Sequence, residues 1–423
     1  MAVKALANLA YEGSKDPLAE AIAPPPNETE EERERRLERE REAKRVSDII
    51  DEQLDKERRA GNPMRILLLG QSESGKSTTL KNFQLMYEPK AFRRERASWR
   101  AIIQLNIVQA FHLIMDAIAQ AQRQAKREAD DHDPQDLPAL TVEHFRIRQR
   151  LLPLLEIENT LIRQLSPVTS RQKSSGHRLS LKEVAVNSAT SWKECFQKLM
   201  NNERDSLDSE ALVDWDDPSD PGKVLNACLE DMIRLWNDPV VQELLDKLKL
   251  RMREQAGFFL DALARVTAPR YLPSDDDILH ARLKTLGVTE THFRFRQGSG
   301  IGKDWRIYDV GGQRSQRAAW IPYFDNMDAI IFLVPISAFD QLLEEDLKTN
   351  RLQDSVQLWK DVISNQLLQH TNMILFLNKI DIFREKLESG VRFSDYVTSY
   401  GDRPNDFEST SACTSPQSIP FVA

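Results

Sequence analysis

Lys76 and Ser77 close the segment Gly70-Gln71-Ser72-Glu73-Ser74-Gly75-Lys76-Ser77, whose spacing is G-x-x-x-x-G-K-S. Two glycines so separated let a tight turn aim its backbone N–H groups, and those of the helix that follows, at phosphate oxygens. Lys76 supplies a point charge to the outer phosphates, and the Ser77 hydroxyl is a short, hard oxygen of the kind magnesium prefers. A second set, Asn378-Lys379-Ile380-Asp381, offers a carboxylate able to accept both N1–H and the 2-amino group of guanine, a donor pair that adenine lacks. The Asn378 amide can reach N7 and brace the phosphate turn. A third set is Asp309-Val310-Gly311-Gly312-Gln313. Its aspartate can hold magnesium through water, Gly312 can bring an N–H to a γ-phosphate, and Gln313 can orient an attacking water.

Such groups work only if rigid elements hold them. The first two follow apolar runs with the look of buried strands and the third follows Trp305-Arg306-Ile307-Tyr308; strands are expected at Met64–Gly70, His292–Gln297, Asp304–Val310, Ala329–Ile336 and Asn372–Asn378. The turn after Gly70 opens into a helical pattern at Thr79, Leu80, Phe83, Leu85 and Met86. A motif in that strand–turn–helix context, at the carboxyl ends of strands, is where open α/β sheets place their ligands. Asp309 stands 232 positions after Ser77 (309 − 77), far more than a nucleotide domain needs between those elements. A second domain must be inserted there, helical in period over Ala101–Met115 and Val240–Leu263, with Trp192, Trp236 and the Phe258-Phe259 pair as its core.

The chain of 423 residues is long enough for two domains and carries a net charge of −8, which argues against nucleic acid as a ligand. Its three cysteines, Cys195, Cys228 and Cys413, are scattered, and its seven histidines lack ligand spacing. No signal peptide is visible, and no apolar stretch is read as long enough for a membrane span.

The three motifs, in this order, resemble the alpha subunit of heterotrimeric G proteins. Asp277-Ile278-Leu279-His280-Ala281-Arg282-Leu283-Lys284-Thr285-Leu286-Gly287 is similar to that family's first switch, and Gly311–Arg317 followed by Trp320 to its second. The resemblance covers roughly residues 46–120 and 221–405. It implies a P-loop GTPase domain, α/β with a mostly parallel sheet, at 63–88 and 277–405, interrupted by an all-α helical domain at 89–276 that contains an insertion at about 122–220. Arg282 and Gln313 would be catalytic, with Arg282 as an arginine finger that Glu73 can pair across the nucleotide. Glu73, Ser74, Gly75, Lys76, Ser77, Thr78, Leu279, Arg282, Thr285, Asp309, Gly312, Asn378, Lys379 and Asp381 would bind GTP or GDP. Ser77, Thr285 and, through water, Asp309 would hold Mg2+. Lys284, Arg314 and Arg317 read as residues of the switch surface.

The resemblance further implies a beta–gamma dimer, a G-protein-coupled receptor and an effector as partners, at the inner face of the plasma membrane. Residues 28–62 read as a charged helix with a narrow stripe at Val46, Ile49, Ile50 and Leu54, the stripe that would dock on beta–gamma. Residues 1–27 read as disordered. Within the insertion, Phe145, Ile147, Leu151, Leu152, Leu155, Ile157, Leu161, Ile162 and Leu165 fit one amphipathic helix, and Asp214–Pro221 an exposed loop.

Three departures stand out. Ala2 excludes N-myristoylation. Ser72 replaces the family's usual glycine and would crowd Gln313, slowing hydrolysis. Residues 406–423 read as an atypical, loop-like tail in place of a last strand and receptor-binding helix, which would expose apolar sheet surface. The alternative function is a hydrolysis-impaired protein that holds a beta–gamma dimer or effector without cycling. An ATP-dependent kinase or transporter subunit is disfavoured by Asn378 and Asp381.

Overall fold

Ile66, Leu67, Leu68 and Leu69 are buried on alternate sides of β1 (Met64–Gly70), so that strand lies inside a sheet covered on both faces. The computed structural model describes residues 29–60, 63–127, 137–165, 185–187, 215–217, 219–293, 304–343 and 345–413. Two further short strands, β2 (Ala185–Asn187) and β3 (Lys284–Leu286), pair in parallel with Val186 opposite Thr285. With β4 (Val288–Phe293), β5 (Trp305–Val310), β6 (Ala329–Pro335) and β7 (Asn372–Asn378), β1 forms a five-stranded sheet ordered β4-β5-β1-β6-β7. Only β4 runs antiparallel to its neighbour. Leu67 and Leu69 pack with Ile330, Phe332 and Phe339 on one face, and Ile66 and Leu68 with Leu80, Phe293 and Ile307 on the other.

The α/β sheet and four of its five strands agree with the sequence reading. The strand placed at His292–Gln297 instead starts at Val288 because its alternating Thr289, Thr291 and Phe293 are the residues turned inward; 294–297 lie outside the described residues. β7 is the sheet edge rather than a buried strand, and its Ile374 and Phe376 are 42% and 40% exposed.

A separate helical core is built around Arg96–Arg127. Ile103, Ile107, Phe111 and Ile114 of that helix are buried with Leu151, Leu154, Leu161, Met232, Leu235 and Trp236. Residues 96–125 of this helix are, by length and composition, long and apolar enough to cross a membrane, contrary to the sequence expectation. Yet 67% of its most apolar 18-residue window is buried inside the fold, as a helix surrounded by other helices requires. Phe259 joins this core and Phe258 packs at its edge; Trp192 lies outside the described residues.

Other expectations fail for local reasons. The helix expected over Phe145–Leu165 is two, Val142–Arg150 and Pro153–Leu165, because Pro153 offers no N–H and disfavours helical backbone at Leu152. Val240–Leu263 is likewise interrupted: its helix ends at Lys247, where Lys249 (φ 56°) and then Gly257 (φ 79°) take left-handed backbone. Asp220, expected in an exposed loop, caps the helix Pro221–Ala227 and meets Arg100 in a bidentate ion pair at 2.7 and 2.9 Å. The tail is not loop throughout, since Phe407–Cys413 is helical. Asp406 accepts the Ser409 N–H at 2.8 Å, while Phe407 packs on Phe383 under the Arg384 guanidinium. Residues 414–423 lie outside the described residues.

The chain divides into two units, residues up to 62 and from 63 onward. The first contributes the helix Glu30–Ala60, laced by Arg36–Glu40 and Arg45–Glu42 pairs. Val46, Ile49 and Ile50 are exposed on it, and residues 1–28 lie outside the described residues.

Candidate nucleotide-binding site

Register brings the motif-bearing strand ends to one rim. Leu68 lies opposite Asp309, Gly70 opposite Leu333, and Pro335 opposite Asn378. Gly70 turns the chain with φ 138°, and a Cβ there would stand 2.4 Å from the Leu333 carbonyl oxygen, so the turn requires glycine. Gly75 (φ 103°) precedes the helix Lys76–Tyr87 and is braced from across the rim, because Asn378 Nδ2 donates to the Ser74 carbonyl at 2.8 Å. A Cβ on Gly75 would meet that same nitrogen at 2.2 Å.

Lys76 is buried, with Nζ donating to the carbonyls of Gly70 (2.8 Å) and Gln71 (2.7 Å). Burial pushes its ammonium down to about 8 against the pull of the Asp309 carboxylate. The Ser77 hydroxyl donates to Asp309 Oδ2 at 2.6 Å. A hydroxyl and a buried carboxylate held this close are hard oxygens suited to magnesium. Among the described residues no three His, Cys, Asp or Glu side chains are grouped to hold a metal alone. That agrees with magnesium's habit of taking one or two protein oxygens and completing its shell with phosphate and water. The residues present therefore fit this ion.

At the cleft above the Ser77–Asp309 contact, Arg282 Nη2 meets Glu73 Oε1 at 2.8 Å. Burial alone would raise the Glu73 carboxyl, but Arg282, Arg351 and Lys379 outweigh it and hold the group ionised. The Arg282 segment follows the helix Asp275–His280, which is fixed by a capping box between Ser274 and Asp277. Ser72, Gly312, Gln313 and Lys379 complete the walls of the cleft. Gly312 packs on the phosphate turn so closely that a Cβ would lie 2.3 Å from the Gln71 carbonyl carbon and 2.4 Å from the Ser72 nitrogen. Beyond Gln313 the chain forms a 3-10 helix, Arg314–Tyr323, anchored where Trp320 Nε1 donates to the Gly311 carbonyl at 2.9 Å.

This constellation has known relatives. A family model described as G-protein alpha subunit matches residues 44–417. The guanine nucleotide-binding protein alpha-4 subunit of Mycosarcoma maydis is 32% identical, covering 93% of this chain and 84% of that protein. The alpha-1 subunit of Caenorhabditis elegans is 32% identical over 80% of this chain and 73% of its own length. The G-protein complex alpha subunit gpaA of Aspergillus fumigatus is 33% identical over 82% and 76%. The chain belongs to the G-protein alpha subunit family. Members of this family are GTPases that take GTP and GDP with magnesium and pair with beta–gamma dimers and receptors. The match runs past the outer margins of the two stretches read from sequence, 46–120 and 221–405, and spans the residues between them.

Of the residues expected from the G-protein alpha resemblance, the structure gathers Glu73 to Thr78, Arg282, Gly312, Gln313 and Lys379 around the cleft, with Asp309 on Ser77 and Asn378 on Ser74. Asp381 is exposed, in the first turn of the helix Ile380–Glu388. Leu279 does not line the cleft; it packs against the helical core, since its side chain leaves the helix Asp275–His280 on the side facing that core. Thr285 lies in β3, and its side chain is outside the described residues. Arg317 is half-buried and pairs with Asp354 at 2.6 Å.

Sequence reasoning missed three groups. Gln71 Nε2 donates to the Arg351 carbonyl at 2.9 Å and to the Asp354 carboxylate. Arg351 donates back to the Ser72 carbonyl at 2.8 Å, which ties the phosphate turn to the helix Arg351–Ile363. Lys81 is buried under Trp99 and donates to the carbonyls of Ile278 (2.9 Å) and Ala281 (2.7 Å). The signal for Lys81 was its register, one turn after Ser77 in the same helix.

Proposed function

We propose that this chain is a GTP-hydrolysing switch in which residues 63–88 and 277–405 form the GTPase domain and 89–276 a helical lid. The observation that carries the reading is Arg282 paired with Glu73 across a cleft whose floor holds the Ser77–Asp309 contact. Backbone N–H groups from Glu73 to Thr78 and the Lys76 ammonium bind the phosphates. Asn378 and Asp381 select guanine. Arg282 spreads its charge over the transferring phosphoryl group, and Gln313 orients the water in line with it. Ser77, Thr285 and Asp309 would hold Mg2+, which when bound neutralises charge on the β- and γ-oxygens. The N–H of Gly312 senses whether the γ-phosphate is present and passes that to the Arg314–Tyr323 segment.

An arginine finger contributes about 10³–10⁵ in rate, a magnitude general to the GTPase class rather than worked from this chain. Arg282→Ala is therefore expected to nearly abolish single-turnover GTP hydrolysis while GTPγS binding persists. Hydrolysis at the wild-type rate in that variant would overturn the assignment. The exposed Val46, Ile49 and Ile50 support a beta–gamma dimer as partner in the GDP state, with membrane attachment through that partner and a receptor upstream. A second reading, GTP binding without rapid turnover, is favoured by Ser72 in the wall that Gln313 shares.

A further inference from the structure

The backbone of Arg282 is held as firmly as its side chain, and by the lid. Asn106, on the helix Arg96–Arg127, accepts the Arg282 N–H at Oδ1 (2.8 Å) and donates from Nδ2 to the Arg282 carbonyl (3.0 Å). One carboxamide thus takes both main-chain polar groups of a residue 176 positions away, fixing the peptide planes on either side of its Cα. Asn106 is buried in the largely apolar run Ile102-Ile103-Gln104-Leu105-Asn106-Ile107-Val108. Burying a carboxamide is unfavourable unless its groups are bonded, and here both partners belong to Arg282.

Gly257 closes the cradle from the other side. Its N–H donates to the His280 carbonyl at 3.0 Å. A Cβ on it would fall 2.8 Å from Arg282 Cβ and 2.8 Å from Asn106 Oδ1. Lys81, from the phosphate-loop helix, holds the preceding carbonyls of Ile278 and Ala281. The guanidinium is left to reach into the cleft from a fixed base.

We propose that Asn106 is a positioning residue for hydrolysis, through which the lid aligns Arg282 with the γ-phosphate. This rests on the reading of Arg282 given above. Asn106 contacts no reacting atom; without it, the bound nucleotide is retained but the finger strays from its productive pose. Displacements of about 1 Å remote from the reacting atoms can cost roughly 100-fold in rate.

The test compares single-turnover GTP hydrolysis and GTPγS affinity in the full chain, Asn106→Ala, Arg282→Ala and the double variant. Asn106→Ala is expected to slow hydrolysis by about 10- to 100-fold with GTPγS affinity near wild type. In the Arg282→Ala background the same change should alter the rate by less than about 2-fold, because the group being aligned is gone. Asn106→Asp keeps the acceptor for the Arg282 N–H and should fall between wild type and Asn106→Ala. Gly257→Ala, which disturbs the cradle from its far side, should slow hydrolysis in the same way and covers the case of an Asn106 variant that fails to fold. Binding of GDP with tetrafluoroaluminate, a mimic of the transferring group, should weaken in step with the rate. Wild-type hydrolysis in Asn106→Ala, or equal slowing with and without Arg282, would overturn this inference alone. A wild-type chain that hydrolyses nothing, or that is indifferent to Arg282→Ala, would overturn the parent reading with it.

Discussion

Gly312→Ala probes how the switch senses its ligand. The added methyl carbon would lie 2.3 Å from the Gln71 carbonyl carbon, 2.4 Å from the Ser72 nitrogen and 2.5 Å from the Gln71 oxygen. All three are backbone atoms of a turn that is tied down by Arg351 on the Ser72 carbonyl and by Lys76 on those of Gly70 and Gln71, so no side chain can swing aside. Ordinary contact begins near 3.4 Å, so Gly312 must retreat by about 1 Å. Overpacking of this kind costs about 1–3 kcal/mol. Charged against the GTP-bound arrangement, in which the Gly312 N–H must approach the γ-phosphate, that is about a 5- to 150-fold loss of GTPγS affinity relative to GDP. Calorimetric titration of both nucleotides gives the ratio, and trypsin protection after Arg314 and Arg317 reports the ordering of the segment. An unchanged GTPγS-to-GDP ratio, with full protection by GTPγS, would refute the reasoning.

Two further outcomes follow from named contacts. Ser72→Gly removes a side chain from the wall shared with Gln313 and should raise single-turnover hydrolysis with binding unchanged; equal rates would dispose of the crowding argument. Burial alone would raise the Asp277 carboxyl, but hydrogen bonds from Arg265, Ser274 and Tyr271 outweigh it and hold the group far below the usual carboxylate range. The unfolded chain therefore binds that proton more readily, so the stability Asp277 contributes is present above about pH 4 and is lost as pH falls below it. Asp277→Asn should melt well below wild type at neutral pH, with the gap narrowing in acid. A gap constant down to about pH 3 would contradict the linkage.

How much was legible depended on range. Gly70, Gly75 and Lys76 announce themselves because a phosphate turn is a local device, and β1 and β6 because buried parallel strands are continuous apolar runs. β7 looked equally apolar, yet edge position is a property of the sheet order and leaves Ile374 and Phe376 exposed. The Gln71 and Arg351 contacts span 280 and 279 positions, and the Asn106 contact 176, so no local spacing marks them. The Phe407–Cys413 helix depends on Phe407 meeting Phe383, a tertiary contact that its Ser- and Thr-rich sequence conceals. Pro153 is the opposite case, for its break is written locally although the apolar periodicity continues across it.

The central claim is that loops on one edge of the sheet read a guanine base and its γ-phosphate together. Calorimetric titration of the full chain with GTPγS, GDP and the matching adenine nucleotides, each with magnesium, tests it most directly. The account predicts tight binding of both guanine nucleotides and none of the adenine pair, with discrimination lost in Asp381→Ala. Equal affinity for guanine and adenine nucleotides would contradict it.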